Sequence, residues 1–167
     1  MAFETYLYLP PVPSSTVYAV RRPSALVVPE AVRAAVADDV RAAHPREAGG
    51  FLGCERRGDR LYATTHVALD NEAEAPQRRF VSTETDAVPP SPRVFYHSHT
   101  SASTPSGLTG VDRRNIPDSL ALVVFAPHGD PYSYRLFRRA LFNWQEVPVE
   151  TAAETAAVGR ERLPRLV

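Results

Sequence analysis

The sequence predicts a single α/β domain built on a mixed, mostly antiparallel β-sheet flanked by helices. Its length of 167 residues fits one compact domain, and 44% hydrophobic with 23% charged residues allows an ordinary apolar core. The predicted order is a helix, several strands, a polar loop and further strands, without the regular alternation that builds a doubly wound nucleotide-binding fold. The sequence also contains no glycine-rich phosphate loop of the Walker or dinucleotide type.

The first regular element is a helix predicted from Pro29 to Ala43. Proline is favourable at the first helical position, and apolar residues then recur at helical spacing. The preceding segment, 5–22, mixes β-forming residues with prolines, which is typical of an edge strand. From residue 151 onward, alanine, glutamate and arginine predict a weak helix or a frayed tail.

Most of the remaining pattern predicts β-strands. A glycine-rich apolar stretch at 47–54 predicts a buried strand, and a turn at Gly58 joins it to a second strand at 60–69 as a hairpin. Residues 80–82 predict the start of another strand, whereas 86–92 contains too many prolines for a helix.

Two apolar runs of strand length then lie on either side of a loop of small and polar residues. The first run is 94–97, the second is 119–125, and the loop between them covers 100–110. An amphipathic strand is predicted at 132–141 and a last short one at 143–149.

Charge and cysteine content exclude several classes of function. Nineteen basic and nineteen acidic residues cancel, so nucleic acid and anionic lipid are not expected partners. Four pairs of adjacent arginines are interpreted as solvated surface positions: 56–57, 78–79, 113–114 and 138–139. The single cysteine, Cys54, excludes an internal disulfide and is interpreted as a packing residue. The N-terminus resembles neither a signal peptide nor a membrane span, so we expect a cytoplasmic protein.

A histidine pair marks the candidate site. His97 and His99 are two residues apart at the end of an apolar strand, so in extended geometry both imidazoles project from one face. Taken alone, such a pair is more often a polar surface feature. Catalytic zinc, however, takes three protein ligands and leaves one position open, and Asp112 across the small-residue loop is the favoured third ligand. Asp118 is the alternative.

A carboxylate beside the ion would complete a hydrolytic site. Water that attacks a polarised carbonyl needs a proton acceptor, and the leaving amine needs a proton donor. Glu47, at the start of the glycine-flanked segment, is the candidate for both tasks.

These residues together resemble the signature of the JAMM (MPN+) metalloprotease family. The resemblance rests on Glu47 within residues 45–50, the His-Ser-His triplet at 97–99 and the Thr-Gly-Val-Asp run at 109–112. Asn71 in the intervening segment also fits the family's pattern. The stretch from His99 to Asp112 is longer by two residues than is usual in the family.

The resemblance implies a cytidine-deaminase-like JAMM fold with zinc held by His97, His99 and Asp112. It further implies that Glu47 acts as general base and acid, and that a hydroxyl group helps to stabilise the tetrahedral oxyanion. Serine is customary three residues before the aspartate, and this chain has Thr109 there. Because the family often has a Pro-Ser pair nearby, Ser106 is an equal candidate for the oxyanion donor.

The resemblance also implies a division of the chain and a substrate. We expect an N-terminal extension (1–24), one JAMM domain (25–150) and a C-terminal tail (151–167). Small bacterial members of the family act on the C-terminus of ubiquitin-like sulfur-carrier proteins, where they expose Gly-Gly or release an adduct. The alternatives are a non-catalytic MPN-type binding scaffold and a zinc hydrolase of a small-molecule amide. The oligomeric state is open, with a homodimer as one option.

Overall fold

The computed structural model describes residues 22–152. The elements follow in chain order as β1 (Ala25–Pro29), α1 (Glu30–Ala43), β2 (Gly49–Arg57), β3 (Arg60–Leu69), β4 (Arg93–His99), α2 (Gly110–Asn115), β5 (Leu120–Phe125), β6 (Ser133–Arg139), β7 (Trp144–Val147) and β8 (Val149–Ala152). Neither helix of this region has the length and apolar character needed to cross a membrane.

All eight strands belong to one mixed sheet, in the order β7-β6-β5-β4-β2-β3-β1-β8. Strand β1 runs parallel to both β3 and β8, and β4 runs parallel to β5, while the other neighbouring pairs are antiparallel. The predicted mixed α/β architecture is therefore confirmed. Strand β4, which carries the two histidines, and β2, which begins two residues after Glu47, lie in the middle of the sheet.

Both faces of the sheet are covered at its centre. On β5, Leu122 and Val124 belong to the larger hydrophobic cluster, which includes the buried valines of α1. Ala121 and Val123, which point to the opposite face, belong to a smaller cluster beside α2. Burial on both faces explains why β5 is an uninterrupted apolar run rather than an alternating one.

Local sequence signals predicted several elements correctly. The helix predicted from Pro29 is α1, with Pro29 itself as the N-cap residue. The predicted hairpin is formed by β2 and β3, and Gly58 at its turn has a positive φ of 64°, which glycine adopts without steric cost. The strands predicted around β4, β5, β6 and β7 are also present.

Four features differ from the prediction, and one of them is strand β8 (Val149–Ala152), which extends into the tail that was predicted from residue 151 as a weak helix or frayed end. Residues 80–82 do not begin a strand, since 70–92 contains neither helix nor strand. Phe80 instead packs against Gly49, where an added Cβ would lie 2.7 Å from its ring. Strand β1 and helix α2 were not predicted, because each is short and depends on distant partners. The expected edge strand at 5–22 and most of the tail lie outside the described residues, so the domain boundaries stay a prediction.

Candidate metal centre

Strand β4 places the two histidines. His97 and His99 lie at its C-terminal end, on the same face as Phe95, and each is 2% exposed. The rings of Phe95 and His97 stack with centroids 5.6 Å apart. The Nε2 atoms of the two histidines are 3.0 Å apart, so both imidazoles point towards one position. The period of two along a strand thus brings the imidazoles together as predicted.

Helix α2 brings Asp112 to the same position. Its carboxylate oxygens lie 3.3 Å from His97 Nε2 and 3.4 Å from His99 Nε2. Thr109 is the N-cap residue, and its backbone N–H and its hydroxyl each donate to Asp112 Oδ2 at 2.7 Å. The reciprocal capping arrangement therefore holds the carboxylate towards the histidines.

The geometry of these three side chains fits a tetrahedral metal ion. Their ligand atoms all lie within 4.8 Å of one another. Ligands of tetrahedral zinc at ordinary bond lengths are separated by about 3.3 Å from each other. The separations between the two Nε2 atoms and the Asp112 oxygens, from 3.0 to 3.4 Å, are close to that value. The donor set, two imidazole nitrogens and a carboxylate, is one that zinc prefers.

Hydrogen bonding to His99 supports the same conclusion. His99 Nδ1 lies 2.7 Å from the carbonyl oxygen of Pro105, which can only accept a hydrogen bond. Nδ1 therefore carries the proton, and in the neutral ring Nε2 keeps its lone pair for a ligand. His97 Nδ1 is buried without a hydrogen-bond partner in the region 22–152.

The charges of the three side chains also suit a cation. Burial by itself would raise the pKa of Asp112, but the adjacent His97 and His99 imidazoles outweigh it and hold that pKa well below its usual range. Burial lowers the pKa of His97. Burial acts against the charged form of His99 too, but the Asp112 carboxylate and the Pro105 carbonyl raise its pKa overall. An ionised carboxylate thus lies between two imidazoles, ready to accept a positive charge.

Glu47 lies beside this group because of the register between β2 and β4. Gly49 pairs with His97, and antiparallel continuation of that ladder brings Glu47 next to His99. The Ser98 N–H donates to the carbonyl of Ala48 at 2.8 Å, which holds the two segments together at this point. Glu47 is 5% exposed, and burial together with the Asp112 charge raises its pKa to about 7, against the opposing effect of His99. A carboxyl group with this pKa exchanges protons readily near neutral pH.

The group opens into a pocket of about 710 Å³. Phe51 and Phe95 form an aromatic floor on the face of β2 and β4. The segment 75–84 lines one side, and the region around α2 lines the other. The lining of the pocket therefore follows β4 from Phe95 through His97 to His99.

Asn71 anchors the wall formed by the segment 75–84. Its side-chain amide donates to the carbonyls of Glu47 (2.9 Å), Pro76 (3.2 Å) and Arg79 (2.9 Å). Its carbonyl oxygen accepts from the backbone N–H groups of Ala73 and Val81. Asn71 was noted in the sequence only as part of the family pattern, and its contribution to the site was missed. A polar residue directly after a long strand is a weak signal, because its partners are distant in sequence.

The structure brings together four of the six predicted site residues, His97, His99, Asp112 and Glu47, around one position. The other two, considered as oxyanion donors, differ in place. Thr109 lines the pocket, with its hydroxyl directed to Asp112. Ser106 is not among the residues that line the pocket, and its hydroxyl accepts a hydrogen bond from Arg135 at 3.1 Å.

Asp118, the alternative third ligand, forms an ion pair with Arg93 at 3.0 Å. It is not part of the group formed by the two histidines, which supports Asp112 as the third member. The roles of these residues in chemistry stay predictions at this point.

Comparison with known proteins gives one family and one fold. A family model described as prokaryotic homologs of the JAB domain matches residues 29–140. The solution structure of protein DSY2949 from Desulfitobacterium hafniense is similar, with a TM-score of 0.56 and 17% sequence identity over 77% of this chain and 94% of that one. At that identity the likeness concerns the fold alone. No curated protein matches the chain significantly.

Proposed function

The chain belongs to the family of prokaryotic homologs of the JAB domain, and we propose that it is a zinc-dependent hydrolase of amide bonds. The observation that carries the proposal is the convergence of His97, His99 and Asp112 within 4.8 Å beside the buried carboxyl of Glu47. A protein that only bound partners would have no need of this arrangement, which places a buried carboxyl group next to a metal-ligand set.

In the proposed site, His97 and His99 bind zinc through Nε2, and Asp112 binds through its carboxylate. When bound, zinc supplies the Lewis acidity that polarises an amide carbonyl and makes water a nucleophile near neutral pH. The Pro105 carbonyl keeps His99 in the required tautomer through Nδ1. Thr109 orients the Asp112 carboxylate by two hydrogen bonds.

Glu47 is proposed to move the proton. Its carboxylate oxygen accepts a proton from the attacking water and then donates that proton to the leaving nitrogen. The pKa of about 7, raised by burial, suits both directions of transfer at neutral pH. Of the two hydroxyl candidates for stabilising the oxyanion, we favour Thr109 over Ser106, because Thr109 lines the pocket. Its single hydroxyl proton is donated to Asp112 in this structure, so the hydroxyl would have to turn from Asp112 to the oxyanion.

The proposed substrate is the extended C-terminus of a ubiquitin-like sulfur-carrier protein, which hydrolysis would trim to Gly-Gly or free of an adduct. The pocket supports this proposal, since its floor is formed by residues of β2 and β4. An extended peptide could lie along the direction of these strands. Cytoplasmic location and a homodimer stay predictions. The family alone also allows a non-catalytic scaffold, and the site alone allows a hydrolase of small amides.

Metal content is the first test, because it distinguishes the two kinds of zinc hydrolase, one for a carrier protein and one for small amides, from the non-catalytic scaffold. After dialysis, we expect about one zinc per chain in the wild type and clear loss in His99→Ala, measured by elemental analysis. His128 is exposed and outside the group, so His128→Ala is the matched control and should keep its zinc. A wild-type protein without zinc would leave the scaffold as the better account.

Turnover is the second test. A carrier extended beyond Gly-Gly is incubated with the zinc-loaded protein, and its mass is measured over time. We expect cleavage after Gly-Gly by the wild type and at least a hundredfold slower cleavage by Glu47→Gln, since a positioned proton acceptor contributes about 10²-fold or more. A zinc-loaded wild type that leaves the carrier intact but cleaves small amides would favour the small-molecule hydrolase.

A further inference from the structure

Two arginines on the pocket wall have no counter-charge. Arg78 and Arg79 are exposed, line the same pocket as the histidines, and form no ion pair with any residue in 22–152. Their pattern in the sequence indicated ordinary solvated positions. Arg93 and Arg135, in contrast, are neutralised by carboxylates at 3.0 Å and 2.7 Å.

The wall that carries these arginines is bonded to the site. The backbone N–H of Glu47 donates to Pro76 O at 2.7 Å, and the Asn71 side chain donates to Arg79 O at 2.9 Å. The next residue, Phe80, packs on Gly49 of β2. Contacts before and after Arg78 and Arg79 in the chain, at Pro76 and Phe80, therefore hold their backbone against Glu47 and Gly49.

No carboxylate that lines the pocket lies within ion-pair distance of Arg78 or Arg79. Asp112 lies against His97 and His99, and Glu84 pairs with Arg93 at 3.2 Å. Because the whole chain has a net charge of zero, the positive wall is a local feature and gives no general attraction to polyanions. It therefore fits a small anionic group that enters the pocket.

The position of Glu47 indicates which part of a substrate meets these arginines. In the proposed hydrolysis, Glu47 delivers a proton to the leaving nitrogen and so must lie beside the leaving group. The wall with Arg78 and Arg79 is hydrogen-bonded to the backbone of Glu47 itself, which links this wall of the pocket, rather than the one around α2, to the group that would protonate the leaving nitrogen.

We infer that the pocket selects amides whose leaving amine carries a carboxylate, recognised by Arg78 and Arg79. This inference rests on the proposed hydrolase function and narrows its substrate class. Water adds to the carbonyl carbon, the C–N bond breaks, and the nitrogen takes a proton. The products are a Gly-Gly carboxylate and an amino acid or acidic peptide. Arginine suits this task because its planar guanidinium matches a carboxylate with two parallel hydrogen bonds.

The test compares three peptides that share a tail ending in Gly-Gly and differ only after it. One continues with alanine as a free acid, one with alanine amide, and one with aspartate amide. The full zinc-loaded chain is assayed as wild type, as Arg78→Gln/Arg79→Gln, and as Arg56→Gln. Arg56 is an exposed arginine on the β2–β3 hairpin that does not line the pocket, so Arg56→Gln is the matched control.

We expect kcat/KM in the wild type to be about tenfold higher for the free acid than for alanine amide, as one charged hydrogen bond allows. The ratio of kcat/KM for the free acid to kcat/KM for alanine amide should fall towards one in Arg78→Gln/Arg79→Gln and remain unchanged in Arg56→Gln. In the wild type, the same ratio should become smaller when the salt concentration rises from about 50 to about 500 mM. The aspartate amide peptide distinguishes a C-terminal carboxylate from a side-chain carboxylate. If it is cleaved as fast as the peptide with the free acid, the arginines also accept a side-chain carboxylate. Equal cleavage of acid and alanine amide by the wild type would overturn the inference.

Binding distinguishes this failure from failure of the hydrolase. Fluorescence anisotropy of labelled acid and alanine amide peptides is measured on Glu47→Gln, with and without the arginine substitutions. One outcome is that the wild type cleaves no peptide, while the acid peptide still binds more tightly than the alanine amide peptide and loses that advantage when the arginines are substituted. In that case the hydrolase proposal fails and the anion recognition stands. If peptides are cleaved with no acid preference, the recognition alone fails. If they are neither cleaved nor bound, both fail.

Discussion

Two carboxyl groups in one pocket have pKa values that move in opposite directions. Asp112 lies beside both imidazoles and accepts hydrogen bonds from Thr109, so its pKa is held low despite burial. Glu47 is buried without a cation that compensates its charge fully, so its pKa rises to about 7. An ionised carboxylate suits a metal ligand, whereas one that titrates near neutrality suits proton transfer. At the scale of residues, the surroundings therefore separate two chemically similar side chains into two roles.

Cys54 gives a prediction at the same scale. Burial raises the pKa of its thiol to about 12, and its Sγ lies against the carbonyl of Leu52. Since the folded-state pKa lies above the unfolded value of 9.0, the thiolate is disfavoured in the folded protein. Iodoacetamide at pH 8.5 should therefore alkylate native Cys54 about a thousandfold more slowly than the unfolded chain.

Mass spectrometry after timed quenching measures both rates, and urea-unfolded protein at the same pH is the control. The same upward shift of the Cys54 pKa predicts that folding stability declines as pH rises from 9 towards 12. In that range the unfolded thiol has lost its proton and the folded thiol has not. Equally fast alkylation of native protein would contradict the assignment of Cys54 as a packing residue.

At the scale of elements, two short pieces without strong sequence signals complete the site. Helix α2 has six residues, too few for a stable isolated helix, and its Thr109 cap and distant contacts hold it in place. The segment 70–92 has no regular structure, and Asn71 gives it a defined path through hydrogen bonds at both ends of the pocket wall. Each piece supplies the site with side chains, and each is held mainly by side-chain to backbone bonds.

The capping arrangement of α2 predicts an effect on metal binding. Thr109→Val removes the hydroxyl that donates to Asp112 Oδ2 but keeps the shape of the side chain. Because such supporting bonds orient a ligand, zinc affinity should fall about ten- to hundredfold. Competition with a chromophoric chelator measures it, and Thr109→Ser should recover most of the loss. Unchanged affinity with slower turnover would instead favour an oxyanion role for the hydroxyl.

The hydrogen bonds of Asn71 predict a local loosening. Asn71→Ala should expose the backbone at Arg78 and Arg79 to trypsin about a hundredfold faster, because the wall loses three donated hydrogen bonds of which each is worth about 1 kcal/mol. Timed digestion followed by mass spectrometry gives the rate. Asn115→Ala, which removes one hydrogen bond within α2, is the control. Equal digestion of wild type and Asn71→Ala would show that other contacts hold the wall.

At the scale of the whole molecule, the two faces of the central strands have different tasks. Phe95, His97 and His99 point towards the pocket, while Tyr96 points towards α1 and is fully buried. Its hydroxyl donates to Asp39 of α1 at 2.6 Å and lies 2.7 Å from His66 Nε2 of β3. Strand β4 is thus fastened to the helix and to the sheet from the face opposite the metal centre.

This polar link predicts a cost in stability without a change in the site. Tyr96→Phe should lower the free energy of unfolding by about 1–3 kcal/mol, because the half-buried side chains of Asp39 and His66 each lose their hydrogen-bond partner. Urea unfolding followed by circular dichroism measures the change. Tyr62→Phe, at a half-buried tyrosine beneath Arg57, is the control. Zinc content should be unchanged, and a loss of zinc would indicate that β4 moves when the link is removed.

Much of the fold could be predicted because its signals are local. Helix α1 follows from apolar spacing after Pro29, and the β2–β3 hairpin follows from the turn at Gly58. The predicted strand at 80–82 was wrong because it rested only on the β-forming residues of that short stretch, without the tertiary contacts that the stretch makes. There, Asn71 binds the backbone N–H of Val81, and Phe80 fills the space above Gly49.

That His97 and His99 share one face follows from the sequence alone, because a strand has a period of two, and the family motif indicated Glu47 and Asp112 as their companions. How these residues meet depends on the folded chain. The register of β2 on β4 brings Glu47 beside His99, and the Thr109 cap directs Asp112 across the loop. The tertiary structure also placed Arg78 and Arg79 on the pocket wall. These arrangements depend on hydrogen bonds and packing between residues far apart in the chain, which local patterns do not encode.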